Sequence, residues 1–108
     1  MKTSYFQNPK LRTGDYYPVQ ISRYASRWGV KPQGKFCIWP TEKMFESGYE
    51  ADEYYSLLDA HKADIFSALK LFPKNTVFLC HEKNPDLCHR RLFAAWLEEE
   101  TGQVIEEL

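Results

Sequence analysis

The chain has no long hydrophobic run, no surplus of one charge and no internal repeat. Each absence excludes a class of protein. No segment approaches the ~20 consecutive apolar residues that cross a bilayer, so no membrane partner is expected. A formal net charge of -1 excludes a globally basic surface for gripping nucleic acid, while leaving room for a local basic cluster. Cysteine is scarce: three residues, an odd number. The opening "MKTSYFQNPK" has no apolar stretch of the kind a secretory leader carries. Together these predict a reduced, cytoplasmic protein with free thiols. No low-complexity segment interrupts the chain. Its 108 residues suffice for one domain with a single core and are too few for two.

Aromatic residues, by contrast, are abundant: seven Tyr, seven Phe and three Trp, 16% of the chain. They fill small cores, and Tyr and Trp also line binding clefts. "TSYF" (Thr3 to Phe6) followed by the turn signal "QNPK" reads as a first strand. "YPVQIS" (Tyr17 to Ser22) reads as a second, with Val19 and Ile21 at period two and Pro18 near its start. Residues 23–49 show little periodicity. They read as a functional loop, or as a loop enclosing a short strand at "KFCIW".

The clearest helix is Glu50 to Phe72, with Tyr54, Leu58, His61, Ile65, Leu69 and Phe72 recurring along one face and Pro73 beyond its end. "NTVFLCHE" (Asn75 to Glu82) is a continuous apolar run, as expected of a central strand covered on both faces. A second helix runs from Cys88 to Gly102 on a stripe of Leu92, Phe93, Trp96 and Leu97, and "QVIEEL" reads as a last strand. This alternation predicts an α/β domain: a small, mostly parallel sheet flanked by helices in a Rossmann-like three-layer arrangement. In such sheets ligands bind outside the carboxyl ends of the strands. Cys80, His81 and Glu82 lie at one such end, Ser22 and Arg23 at another.

The chemistry gathers where the central strand meets the last helix. Cys88, His89, Arg90 and Arg91 open that helix, where unpaired N–H groups and the dipole already favour an anion. Guanidiniums there are unfavourable for the helix itself, which suggests positive charge held for a ligand. Arg suits phosphate or carboxylate because its planar fork donates parallel hydrogen bonds. The alternative is that Arg90 pairs with an internal acid, Glu82 or Asp86, and that Arg91 is solvated. Cys88 sits where a thiol is most easily deprotonated and is a candidate nucleophile; it serves equally as a small core residue. The cysteine-phosphatase spacing is absent, because five residues after Cys80 are followed by Asp86 where Arg would stand.

Glu82 is a candidate general base or nucleophile, or else a partner for Arg90 or His89. Cys80, His81, Cys88 and His89 have poor spacing for zinc, since neighbours on a strand point to opposite faces; no metal is assigned. No motif asks for a cofactor. His61, on the apolar face of the long helix, reads as a hydrogen-bonded core histidine.

The stretch "LCHEKNPDLCHRRLFAAWLEEETGQVIEE" resembles the signature of the domain-of-unknown-function family 488: Leu-Cys-x-Glu, a Pro-containing turn, Cys-His-Arg, then a helix bearing Trp-Leu. "VQISR", "WP" (Trp39, Pro40) and the Tyr-rich helix extend the similarity over nearly the whole chain. The resemblance implies an α/β fold and a shared polar cluster of Arg23, Glu82, Cys88, His89 and Arg90, with Tyr54, Trp96 and Glu106 in support. One departure concerns the loop after Ile-Ser-Arg, where the family tends to have Pro and this chain reads "YASRW".

The functional expectation is a phosphate-bearing ligand, a nucleotide or nucleic acid, held at the Cys-His-Arg turn. Arg23 and Arg90 would bind the anion, and Tyr24, Trp28 or Trp39 would stack on a base. Glu82, Cys88 and His89 would supply hydrolase or transferase chemistry. The alternative is a non-catalytic module binding an anion or a partner through the same cleft.

Overall fold

The computed structural model describes residues 1–22, 24, 26–36, 38, 51–81, 83 and 89–108. Five strands form one sheet: β1 (Lys2–Tyr5), β2 (Tyr17–Gln20), β3 (Gly34–Lys35), β4 (Thr76–Cys80) and β5 (Glu106–Glu107). Their order is β3-β2-β4-β1-β5, and every neighbouring pair is parallel. The α-helices are α1 (Ala51–Ala60), α2 (Lys62–Leu69) and α3 (Arg90–Thr101), and a 3-10 helix spans Pro9–Thr13. The predicted α/β class holds.

β4 occupies the centre because its side chains are apolar on both faces, and all five of its residues are buried. Phe78 points to one face and meets Phe93 of α3 edge-on at 5.0 Å. Val19, Tyr54, Leu58, Ile65, Trp96 and Leu97 join that cluster, so the described α-helices share one side of the sheet. Val77 and Leu79 point to the other face, where Phe6 and Leu11 are buried with Tyr16, Val30 and Leu108 against them. A 3-10 helix and the loop after β2 thus make a thinner third layer.

Pro18 lies inside a strand with neighbours on both sides. Its position is tolerated because residues of a parallel strand aim N–H and C=O to the same side, alternately. Tyr17 and Ile21 donate toward β4, while the Pro18 carbonyl accepts from Gln33 on the β3 side. β3 pairs only with Val19 and Gln20, so the missing donor falls where β3 has not begun.

The long helix expected over Glu50 to Phe72 is two helices. The chain tightens at His61, whose N–H bonds back to the Leu58 carbonyl at 3.1 Å. The turn swings His61 into solvent while Ile65 remains in the core, so the expected core histidine is a surface residue. α3 ends as expected, with Gly102 in the left-handed conformation at φ 71 and its N–H on the Glu98 carbonyl. Among the described residues, no helix is long and apolar enough to cross a membrane.

Candidate functional site at the carboxyl end of the sheet

Because all strands are parallel, β1, β2 and β4 deliver Phe6, Ile21 and His81 to the same edge. Ile21 is buried and His81 is exposed. The His81 ring lies 5.2 Å from that of Phe6, and its Nε2–H donates to the Tyr24 carbonyl at 2.5 Å. Ser22 donates its hydroxyl to the same carbonyl at 2.7 Å. Two donors from two strand ends therefore fix the backbone at Tyr24, while the Tyr24 side chain stands 71% exposed. Trp28, farther along the same loop, is also 71% exposed. Gly29 allows the loop to settle there: at φ +93, a Cβ would lie 2.0 Å from the Phe6 carbonyl oxygen.

Arg90, expected to face an anion, is turned inward. Its side chain is fully buried, and the bidentate partner is Glu107 of β5: Nε lies 3.0 and 3.1 Å from the two carboxylate oxygens, and Nη2 2.8 Å from one. Nη2 also donates to the Lys83 carbonyl at 3.1 Å. Arg91 is committed as well, donating from Nη1 to Thr3 Oγ1 at 3.0 Å and to the Ile105 carbonyl at 2.8 Å. Thr3 in turn donates to Glu107 at 2.7 Å. Pairing with an internal acid is thus observed, and Glu107 is an acid that the sequence reading did not name; Glu82 and Asp86 lie outside the described residues. A buried guanidinium needs acceptors for its N–H groups, and Glu107 and the Lys83 carbonyl accept from Nε and Nη2.

Glu107 was missed by sequence reading, although a signal existed. Strand parity puts Glu107 on the same face as buried Ile105 and leaves Glu106 facing away. Glu106, expected to support the cluster, pairs at the surface with Lys2 at 3.8 Å.

His89, a candidate for acid–base work, is 2% exposed and precedes the first residue of α3, its side chain making no capping hydrogen bond. Its Nε2–H donates to the Ile21 carbonyl at 2.6 Å, which leaves Nδ1 unprotonated, 3.5 Å from Cys80 Sγ. The Tyr54 ring meets it edge-on at 5.5 Å. Burial pushes His89 down to about 4 from 6.5, with Arg90 and His81 adding to the effect against the opposing Ile21 carbonyl. A ring that is neutral, enclosed and bonded across 68 positions is a tether between the end of β2 and the start of α3. The supporting aromatics are internal too. Tyr54 donates to the Ile38 carbonyl at 2.7 Å, and Trp96 to Asp59 at 2.8 Å.

The expectation of free thiols is corrected at Cys80, which is disulfide-bonded. A disulfide sulfur is neither nucleophile nor acid, so Cys80 offers no thiol to the strand-end cluster in this state. Alkylation in denaturant without reductant should leave Cys80 unmodified by peptide mass spectrometry, and prior reduction should expose it. Alkylated Cys80 without reductant would contradict the bond. Arg23, Trp39, Glu82 and Cys88 lie outside the described residues, as do Cys37 and Asp86. Among the described residues no cluster of three metal-ligating side chains forms.

An apolar groove of about 500 Å³ opens between α2 and α3, lined by Met1, Phe66, Leu69, Leu97 and Ile105. Met1 and Ile105 precede β1 and β5, so this groove lies at the amino end of the sheet, opposite the polar edge.

In comparisons with known proteins, the chain matches no family model, no curated protein and no solved structure.

Proposed function

We propose that this chain is a family-488-like domain that binds a phosphate-bearing ligand with a planar base, a nucleotide or nucleic acid, at the carboxyl edge of its sheet. The observation that carries this reading is the pair Tyr24 and Trp28, each 71% exposed, on a loop whose backbone is fixed by His81, Ser22 and Phe6. Large aromatic side chains held in water on an anchored loop favour a ligand with a flat face. The edge is also the place where parallel sheets take ligands. Exposed Arg27 and Lys31 supply hydrogen-bond donors there. Arg23 and Trp39 remain candidates from the sequence for the same ligand.

Binding without turnover is favoured over hydrolysis or group transfer. His89 is enclosed and neutral, and Cys80 is oxidised. Glu82 and Cys88 remain catalytic candidates from the sequence.

Calorimetric titration with a nucleoside triphosphate, its nucleoside and tripolyphosphate tests the reading. The nucleotide should bind, and each fragment should bind more weakly. Trp28→Ala should weaken the nucleotide roughly ten-fold, the order of one lost stacking contact. Absence of binding by the nucleotide, or equal binding by Trp28→Ala, would count against the reading.

A further inference from the structure

The formal charge of -1 conceals a division within the chain. Residues 1–41 carry seven Lys and Arg against one acid, Asp15; residues 42–108 carry seven against fourteen acids. The fold converts this division into two faces. The described α-helices, which bear Asp52, Glu53, Asp59, Asp64, Glu98, Glu99 and Glu100, cover one side of the sheet. The other side is covered by the 3-10 helix and the loop after β2.

Lys10 and Arg12 flank Leu11, which is 3% exposed and packs in one cluster with Phe6 and Val30. Val30 donates its N–H to the Phe6 carbonyl at 2.9 Å. Leu11 and Val30 thereby place the 3-10 helix bearing Lys10 and Arg12 and the loop bearing Arg27, Trp28 and Lys31 on the same side of the sheet, the side without α-helices, and all four cations are exposed. Among the described residues, none of these four cations makes an ion pair. The acid of this third, Asp15, lies toward the opposite end of the sheet, where its carbonyl accepts from Asn75.

From this juxtaposition we infer that the face without α-helices binds single-stranded nucleic acid, its phosphates running across Lys10, Arg12, Arg27 and Lys31 and its bases stacking on Trp28 and Tyr24. The inference deepens the strand-end reading and rests on it. Several separated cations suit a polymer of phosphates better than one mononucleotide, whose charge cannot span them. The exposed aromatics select for unpaired bases, because a duplex hides base faces within its own stack. The acidic helical face would repel the same polymer and so restrict it to one side of the protein.

The test is fluorescence anisotropy with a labelled single-stranded oligonucleotide of about 15 nucleotides, within the span such proteins cover. The comparison ligands are the same sequence as duplex, a mononucleotide, a heparin fragment and phosphatidylserine vesicles. The single strand should bind at least ten-fold more tightly than duplex or mononucleotide. Its affinity should fall with salt, with a log–log slope of roughly -3 for four phosphate contacts. The double variant Lys10→Gln, Arg12→Gln should flatten that slope by roughly 1.4 and leave mononucleotide binding unchanged. Trp28→Ala should weaken the oligonucleotide roughly ten-fold, with no change in Tm.

A mononucleotide that binds as well as the oligonucleotide would overturn this inference and leave the strand-end reading standing. Failure of both ligands would remove both. Equal binding of heparin and oligonucleotide, indifferent to Trp28→Ala, would reduce the face to a polyanion surface and overturn the assignment. Vesicle binding without oligonucleotide binding would replace it with a membrane surface.

Discussion

Replacing Arg90 by Ala should destabilise the protein by about 3 kcal/mol, the lower end of what breaking a buried ion pair costs. The lower end applies because the Glu107 side chain is 26% exposed, so the orphaned carboxylate can recruit water. For a domain of this size, that loss corresponds to a fall in Tm of roughly 12–24 °C. It would consume a large part of the 5–15 kcal/mol that typically holds a domain folded.

The double variant Arg90→Met, Glu107→Leu should recover most of the loss, because two apolar side chains of similar volume remove the charge together with its partner. Urea denaturation of the single and double variants measures the coupling. If Arg90→Ala kept the wild-type midpoint and abolished nucleotide binding instead, the internal role would be wrong and the helix-terminus anion site would return. This outcome separates structure from recognition at a residue where the two readings compete.

The second large effect is on pH. His89 has a folded-state value of about 4 against 6.5 for the free side chain, because burial disfavours its charged form. Between these values the unfolded chain binds a proton that the folded chain does not, so lowering the pH favours unfolding. The stabilisation is fully present above 6.5 and is lost progressively as the pH falls toward 4, by about 3 kcal/mol in all. The structural cause is specific. Protonating Nδ1 would set a second N–H against the sulfur of Cys80, a weak acceptor, with the Arg90 cation nearby.

His89→Gln is the control, since its amide can still donate toward the Ile21 carbonyl but does not titrate. Chemical denaturation from pH 7 to pH 5, above the range where most carboxylates protonate, should show a steeper loss in the wild type than in the variant. Equal slopes would mean that the ring is not enclosed as described.

Element order was legible in the sequence wherever a side-chain pattern had one solution. The apolar run from Thr76 to Cys80 had to be a central strand, because only a strand covered on both faces accommodates it. Gly102 marked the end of α3 because few residues other than glycine adopt its left-handed conformation without strain. The break at His61 was not legible, since a three- to four-residue spacing survives one tightened turn.

Within the candidate site, the sequence offered His89 for acid–base work and Arg90 for an anion, with an internal ion pair as the alternative for Arg90. Both look like surface chemistry when read beside Cys88 and Arg91. Both prove to be internal once Ile21 and Glu107 are brought to them. Tyr24 behaves oppositely: named for stacking, it is exposed, and its backbone rather than its ring is tied to His81.

By itself, the sequence determined the α/β class, the approximate position of its main elements, and a supply of cations concentrated in the first 41 residues. Tertiary structure alone decided which cations face water. Arg90 reaches Glu107 only because β5 pairs with β1, next to β4, and strand order is not a local property. Lys10 and Arg27 share a face only because Leu11 and Val30 bury against the same side of β4. A charge is committed or free according to what packs against it, and packing depends on neighbours far away along the chain.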